Sequence, residues 1–195
     1  MPHIDLAFRL MGNTVPVDHG YALYSAISRL IPALHEARDV GVHPIRGRYQ
    51  GDGELVLVPS SRLILRVSDR RIPSYLPLAG KVLDLDGHHL RVGVPEMRAL
   101  RPAAMLYARL ATVKGFMEPE AFLDAAKRQI QEMGVAADLQ VGERRTFRVK
   151  DKQVVGFGLI ADHLTQEGSV RLQEVGIGGR RRMGCGVFVP RRSGP

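Results

Sequence analysis

Apolar and polar residues alternate at the start of the chain, from Ile4 to Leu10, and this period of two predicts a half-buried β-strand. Apolar residues then recur at spacings of three and four from Leu23 to Leu34, which predicts one face of a helix. Asp18 is placed to cap that helix, because its carboxylate can accept the unpaired amide hydrogens of a first turn. Pro32 lacks a backbone donor and should kink or divide the helix, which we expect to end near Ala37.

Short aliphatic segments follow at residues 54–58, 62–67, 81–85 and 90–94, and each predicts a strand. Asp86-Gly87 lies between the last two segments and predicts a tight hairpin turn. Residues 95–102 contain two prolines and no periodicity, so we expect a linker there. The predicted domain boundary lies between residues 98 and 99.

The second half of the chain repeats the order strand, helix, hairpin. The predicted segments are a strand at 105–113, a helix from Pro119 to Gly134, a hairpin of 139–149 with 153–161, a short helix at 167–174 and a strand at 185–189. A strand, helix and hairpin that occur twice predict an α+β fold of tandem ferredoxin-like (RRM-like) units, residues 1–98 and 99–195. The second unit would carry a C-terminal glycine-rich loop.

The charge of the chain is positive and comes mainly from arginine. Of the 195 residues, 28 are Lys or Arg and 20 are Asp or Glu, so the formal net charge is +8, and 23 of the 28 cations are arginine. Arginine holds phosphate through two parallel hydrogen bonds, so this bias favours a polyanionic partner. A GC-rich genome also favours arginine codons. However, six arginines and only one acidic residue, Glu174, lie in the last 25 residues, which is more typical of a binding surface.

Composition excludes several classes of protein. A hydrophobic fraction of 45% is enough for a buried core, so wholesale disorder is excluded. No apolar run approaches the roughly 18–20 residues that span a bilayer. The start of the chain also lacks the features of a secretory signal. The single cysteine, Cys185, excludes an internal disulfide framework and a cysteine-based zinc ribbon, and we expect it to be a small core residue. We therefore expect a cytoplasmic protein that is not bound to a membrane.

Residues 174–186 contain the most distinctive local pattern, in which glycines surround three consecutive arginines. The members are Gly176, Gly178, Gly179, Arg180, Arg181, Arg182, Gly184 and Gly186. Glycine allows positive φ angles and close approach of a ligand, and the loop amides could form a nest for an anion. A phosphate-binding P-loop is excluded because Cys185-Gly186 stands where Lys-Ser or Lys-Thr is needed. A dinucleotide-binding fingerprint is excluded because only nine residues follow Gly186.

Both ends of the chain resemble one family, the CRISPR repeat-processing endoribonucleases of the RAMP superfamily. The glycine-rich loop matches the family near its C-terminus. At the other end, Val15-Pro-Val-Asp-His19 opens a helix, and Ala33-Leu-His-Glu36 lies near its end. The resemblance implies a tandem RRM-like fold and metal-independent cleavage of the CRISPR repeat transcript, so we expect no cofactor and no metal.

The resemblance places the family's catalytic histidine at His35. In-line attack of a 2′-hydroxyl on phosphorus needs a base near neutral pKa, an acid for the leaving oxygen and a cation for the phosphorane. Histidine fits the first two roles. We also consider His43, in the following loop, and Arg46 as the cation. Many members have a Tyr one helical stretch before the histidine and a Lys after it. This sequence departs from that pattern: the nearest hydroxyl at the first position is Ser28, and the only cations nearby are Arg38, Arg46 and Arg48.

Other cations are candidates for contacts with the RNA backbone. Lys114 ends a predicted strand, and Arg144 and Arg148 share a face of the predicted hairpin, with Arg145 on the opposite face. An equally acceptable interpretation is a solvated sheet face. Aromatic residues are only 6% of the chain, so a duplex or hairpin recognised through its phosphates fits better than stacked single-stranded bases.

The interpretation we favour is an endoribonuclease that binds CRISPR repeat RNA, as a stem-loop, and cleaves once per repeat. The alternative is a non-catalytic RAMP subunit that holds guide RNA among the subunits of a CRISPR effector complex. A third interpretation, an unrelated basic RNA-binding protein of the translation apparatus, explains the charge but not the paired end motifs. Only a positioned general base separates the first interpretation from the second.

Overall fold

The computed structural model describes residues 2–191, and the chain divides into two compact units, Met1–Ala99 and Leu100–Pro195. Each unit combines α-helices with antiparallel β-strands, so the predicted α+β class is confirmed. Within residues 2–191, no helix is long and apolar enough to cross a membrane.

The N-terminal unit contains eight strands and two α-helices within the described residues. They are β1 (His3–Met11), β2 (Thr14–Pro16), α1 (Gly20–Leu30), β3 (Gly41–Val42), β4 (Arg48–Gly51), β5 (Glu54–Val56), β6 (Arg62–Ser68), α2 (Ile72–Tyr75), β7 (Val82–Leu85) and β8 (His88–Ala99). One five-stranded sheet has the order β3-β6-β1-β8-β7, and a three-stranded sheet has the order β2-β5-β4.

The core of the N-terminal unit lies on one face of the five-stranded sheet. Leu6 and Phe8 of β1 are fully buried together with Leu65 of the neighbouring β6, and Leu23 and Ile27 of α1 belong to the same cluster. The alternation that predicted β1 and the spacing that predicted α1 are both confirmed.

Helix α1 begins one residue later than the capping pattern predicted. His19, not Asp18, is its N-cap residue, and the His19 side chain makes no capping hydrogen bond to the first turn. At the other end Pro32 divides the helix as predicted: α1 stops at Leu30, and a single 3₁₀ turn follows at Pro32–His35. This turn places His35 at the end of a rigid element.

The predicted linker over residues 95–102 is wrong for its first half. Strand β8 continues to Ala99, and Pro95 lies opposite Phe8 in the pairing of β8 with β1. Proline is tolerated there because β7 pairs with β8 only over His88–Arg91, so this part of β8 has a strand on one side alone. The Asp86-Gly87 hairpin between β7 and β8 is confirmed, and both residues have positive φ angles, of 53° and 92°.

The C-terminal unit has the element order β-α-β-β-α-β. The elements are β9 (Leu106–Ala111), α3 (Pro119–Glu132), β10 (Asp138–Val149), β11 (Lys152–Asp162), α4 (Gln166–Val175) and β12 (Val189–Pro190). They form one antiparallel sheet of order β10-β11-β9-β12. Its core contains Phe122 and Ile130 of α3, Phe157 of β11, Leu172 of α4 and Phe188.

Two strand predictions in this unit have different outcomes. The hairpin of β10 with β11 is confirmed, with Lys150 in the left-handed region at its turn. The strand expected at residues 185–189 is wrong for most of its length, because only Val189–Pro190 pairs with β9. Gly184 and Gly186 have φ angles of 86° and 64°, which interrupt an extended backbone.

Candidate functional site

His35 lies on the surface of the N-terminal unit at the end of the 3₁₀ turn. The preceding residue, Leu34, is fully buried in the core and anchors the turn. Because one residue of the turn is fixed in the core, the backbone of His35 has a defined position while its imidazole faces solvent.

Tyr24 of α1 is the side chain that orients His35. A hydrogen bond of 2.7 Å joins the Tyr24 hydroxyl to Nδ1 of His35. The two rings also meet edge to face, with centroids 5.6 Å apart and an interplanar angle of 87°. Together, the two contacts fix the position of the imidazole ring. The tyrosine hydroxyl uses Nδ1 and leaves Nε2 on the other side of the ring.

The hydroxyl beside His35 therefore belongs to Tyr24 and not to Ser28. Ser28 is only 3% exposed and lies on the buried face of α1. Within the described chain its Oγ has no hydrogen-bond partner. Helical spacing alone does not find Tyr24, because it precedes His35 by 11 residues, which in an unbroken helix would separate them by about 16 Å along the axis.

His43 lies in a different environment from His35, inside the N-terminal unit. It is 6% exposed, and its Nε2 lies 3.4 Å from Oδ1 of Asp5. The same carboxylate accepts two hydrogen bonds from the guanidinium of Arg66, at 2.8 and 3.0 Å, and Arg66 is 1% exposed. Together these three residues form a buried network on strands β1 and β6 and at the end of β3.

The network moves the pKa values of His43 and Asp5 away from their ordinary ranges. Burial lowers the pKa of His43, and the nearby charges of Arg66 and Arg46 add to this effect, although Asp5 opposes it. For Asp5, burial alone would raise the pKa, but the hydrogen bonds and charges of His43 and Arg66 lower it well below its usual range. His43 is thus held neutral beside an ionised carboxylate. Arg46, which acts on His43, is itself exposed.

His19 connects the start of α1 to the segment that carries these residues. It is 1% exposed, and its Nε2 accepts the backbone N–H of Ile45 at 2.9 Å. Its Nδ1 therefore carries the proton and donates to the carbonyl of Pro16 at 2.7 Å. A neutral histidine in this tautomer fixes the backbone between His43 and Arg46.

In the C-terminal unit, the glycine-rich loop is packed against the end of β9. The N–H of Gly179 donates to the carbonyl of Thr112 at 2.9 Å, and the N–H of Gly186 donates to the carbonyl of Leu110 at 2.7 Å. The N–H of Gly178 donates to the Gln129 side chain at 2.7 Å. These amides are used within the protein and do not form the anion nest that the sequence suggested.

The glycines are needed because the loop approaches other backbone very closely. A Cβ added at Gly176 or Gly186 would collide with a carbonyl of the loop itself, and one at Gly178 would collide with the carbonyl of Thr112. All three have positive φ angles. Gly179 differs, since nothing lies within 4 Å of its added Cβ.

The three consecutive arginines divide into different environments. Arg180 is exposed and Arg182 is half-buried, whereas Arg181 is only 8% exposed. Nη2 of Arg181 donates to the carbonyl of Gln173 at the end of α4, at 3.4 Å. Of the three arginines predicted to contact RNA, Arg181 is thus buried within the protein.

Sheet register brings other predicted RNA contacts to the same end of β9. Arg144 lies opposite Phe157, which in turn lies opposite Ala111 at the last position of β9. Exposed Lys114 follows Thr112, the residue that binds the glycine-rich loop. Arg148 lies four residues beyond Arg144 on the same exposed face of the hairpin. Arg145 points to the other face and donates to Glu143 at 2.6 Å.

Solved structures with a similar fold come from one class of protein. A Cas6-related protein from Pyrococcus furiosus matches with a TM-score of 0.68 and 14% identity, over 99% of both chains. Thermus thermophilus Cse3, solved with an RNA that represents a pre-cleavage complex, matches with a TM-score of 0.55 and 16% identity, over 96% of this chain and 98% of that one. A RAMP protein described as binding different RNA substrates has a TM-score of 0.68 at 13% identity, over 98% of this chain and 100% of that one. The fold is that of the RAMP proteins.

Sequence comparison identifies the family within this class. The family model described as Cas6 Crispr matches residues 4–193. The CRISPR-associated endonuclease Cas6 of Myxococcus xanthus (strain DK1622) is 44% identical over 190 residues, which cover 97% of this chain and 82% of that protein. The chain belongs to the Cas6 family of CRISPR-associated endonucleases. The family predicted from the two end motifs is confirmed.

The buried network generates a prediction about stability and pH. In the unfolded chain His43 should titrate near its ordinary value of about 6.5, whereas in the folded protein its pKa is lower. The unfolded state therefore binds more protons as the pH falls through about 6.5, so the free energy of unfolding should fall with it. Urea unfolding between about pH 5 and 7.5, above the range where aspartate titrates, measures this slope.

In His43→Gln the slope should decrease by up to about 1.4 kcal/mol per pH unit, the value for one proton. His89→Gln is the matched control, because His89 is exposed and, within residues 2–191, its side chain makes no hydrogen bond or ion pair, and it should keep the wild-type slope. Equal slopes in His43→Gln and the wild type would contradict this account of the network.

The packing of the glycine-rich loop generates a second prediction. Gly178→Ala should lower the free energy of unfolding by more than about 1 kcal/mol, because alanine is strained at its φ of 76° and would meet the Thr112 carbonyl. Gly179→Ala, next to it, should change this free energy by less than about 0.5 kcal/mol. Urea unfolding of both variants measures the difference, and equal effects would show that the loop is not packed as described.

Proposed function

We propose that this chain binds the repeat segment of a CRISPR transcript and cleaves it once per repeat without a metal ion. The 2′-hydroxyl would attack the adjacent phosphorus, leaving a 2′,3′-cyclic phosphate and a 5′-hydroxyl. The observation that carries this proposal is the surface histidine His35 held by Tyr24 at 2.7 Å. A histidine near neutral pKa can take or give a proton at physiological pH, which this reaction requires.

In this proposal the tyrosine positions the histidine and the histidine moves the proton. Because Tyr24 uses Nδ1, His35 would exchange a proton with the substrate through Nε2. Arg46, exposed on the same unit, is the candidate cation for the charged phosphorane. We assign His43 a structural role, because its contact with Asp5 and its burial support the fold and leave it poorly placed to meet RNA.

We further propose that the C-terminal unit supplies much of the affinity for a repeat stem-loop. The candidate contacts are exposed or half-buried cations at or beyond the end of β9, namely Lys114, Arg144, Arg148, Arg180 and Arg182. Their charges suit phosphates, and helical RNA is recognised largely through its backbone. The β-α-β-β-α-β order of this unit also supports the proposal that the fold is a tandem of ferredoxin-like units.

The catalytic proposal predicts a specific kinetic pattern. Wild-type protein should cut its own repeat RNA at one position in EDTA. His35→Ala should reduce the single-turnover rate at saturating protein by ~10²-fold or more, the usual scale for loss of a general acid or base. Tyr24→Phe, which keeps the ring and removes the hydroxyl, should cause a smaller loss. Neither variant should change the dissociation constant for RNA, because a neutral imidazole adds little attraction to phosphate.

Three outcomes would contradict this proposal. Activity that disappears in EDTA and returns with magnesium would contradict the metal-independent mechanism. Full activity in His35→Ala would remove His35 from the chemistry, and loss in His43→Ala with unchanged folding would transfer the role to His43. Binding without cleavage by the wild type would favour the non-catalytic guide-RNA subunit.

The different environments of Arg180 and Arg181 predict that the first contributes to RNA binding and the second to folding stability. Arg180→Gln should leave the free energy of unfolding unchanged and reduce the slope of log affinity against log salt by about one, as expected for one lost phosphate contact. Arg181→Gln should instead lower the free energy of unfolding by more than about 1 kcal/mol, because the guanidinium is buried against α4. An unchanged salt slope in Arg180→Gln would remove this residue from the RNA-binding surface.

A further inference from the structure

Two arginines face each other across neighbouring strands of the N-terminal sheet. Arg9 of β1 lies directly opposite Arg62 of β6 in the antiparallel register. Both lie on the face away from the core, since their neighbours Phe8 and Leu63 are fully buried in it. Side chains at directly opposite positions are close enough to interact, and like charges there destabilise a sheet.

A third arginine and a single carboxylate complete this cluster, which we call the sheet-face arginine cluster (Arg9, Arg62, Arg98 and Glu96). The register places Glu96 and Arg98 of β8 beside β1, and Arg98 donates to Glu96 at 2.8 Å. The hydrogen bond and charge of Arg98 lower the pKa of Glu96, and the charges of Arg62 and Arg9 add to this effect. One glutamate balances only one of three arginines, so two positive charges are left over.

Local structure anchors Arg62 and leaves room for Arg9 despite their repulsion. Nη1 of Arg62 donates to the carbonyls of Pro59 and Ser61, at 2.7 and 2.8 Å. Gly93 leaves room for Arg9, since an added Cβ would lie 3.2 Å from the Cβ of Arg9. Within residues 2–191, no hydrogen bond or ion pair holds the Arg9 guanidinium. Here one arginine of a repulsive pair is anchored by hydrogen bonds, and a glycine leaves room for the other. Such a pair is typical of a binding site and not of a sheet optimised for stability.

We propose that the sheet-face arginine cluster binds the phosphate backbone of an RNA strand. The guanidinium fork matches a phosphate through two hydrogen bonds, and the spare positive charge of the cluster is complementary to a chain of phosphates. Such contacts fix the path of the strand and carry no sequence information. The inference rests on the proposed function, which supplies the RNA ligand. It gives the N-terminal unit a surface that binds the RNA backbone and that does not include His35 or Tyr24.

The test is a double variant, Arg9→Gln with Arg62→Gln, measured by RNA binding across a range of salt. Loss of two phosphate contacts should weaken binding about tenfold or more and reduce the slope of log affinity against log salt by about two. The rate of single-turnover cleavage at saturating protein should stay at the wild-type value. The melting temperature should change little, because relief of the repulsion offsets the loss of the two hydrogen bonds from Arg62.

Arg70→Gln with Arg91→Gln is the matched control, since it removes the same charge from two other exposed arginines of this unit. It should keep a slope closer to that of the wild type than the test variant does. A test variant with the same slope as this control would overturn the inference while leaving the proposed function intact. Wild-type protein that binds no repeat RNA would overturn both. Binding that weakens together with a lower melting temperature would show that the cluster only supports the fold.

Discussion

The missing backbone N–H of Pro32 is the constraint on which the candidate active site depends. Helix α1 cannot continue through this residue, so it ends at Leu30 and the chain tightens into a single 3₁₀ turn. That turn fixes Leu34 in the core and brings His35 to within 2.7 Å of Tyr24. A longer regular helix would have carried His35 farther along the axis, away from the tyrosine.

The rest of the N-terminal unit supports this arrangement through buried polar groups. His19 joins the start of α1 to the backbone of Ile45, and the network of Asp5, His43 and Arg66 fixes the neighbouring strands. Buried charges are costly unless each is paired, and Asp5 and Arg66 are paired through two hydrogen bonds. The unit therefore uses two of its histidines for structure and leaves a third, His35, on the surface, where the proposed reaction needs it.

Local patterns in the sequence predicted the elements that depend on local physics. The period of β1, the face of α1, the break at Pro32 and the Asp86-Gly87 hairpin all follow from neighbouring residues. The extension of β8 beyond Pro95 did not, because it depends on pairing with β1, almost 90 residues earlier in the chain.

Within the site, His35 followed from a family resemblance, but its partner could not be assigned. The contact with Tyr24 depends on how the 3₁₀ turn redirects the chain, and spacing along a helix alone does not specify that turn. The burial of Arg181 also could not be predicted from the sequence, because three adjacent arginines are most often solvated. Only the packing of the loop against α4 and β9 distinguishes Arg181 from Arg180.

The close packing of the glycine-rich loop has a consequence for how proteins of this family can diverge. Gly176, Gly178 and Gly186 have no room for any side chain, so a change at these positions is paid in stability before it can alter recognition. Arg180 lies between these glycines but faces solvent. The loop thus separates positions restricted to glycine from one, Arg180, whose side chain can change while the packing stays the same, although its φ of 60° disfavours β-branched residues. The proposed RNA contact at Arg180 could therefore vary without rebuilding the fold.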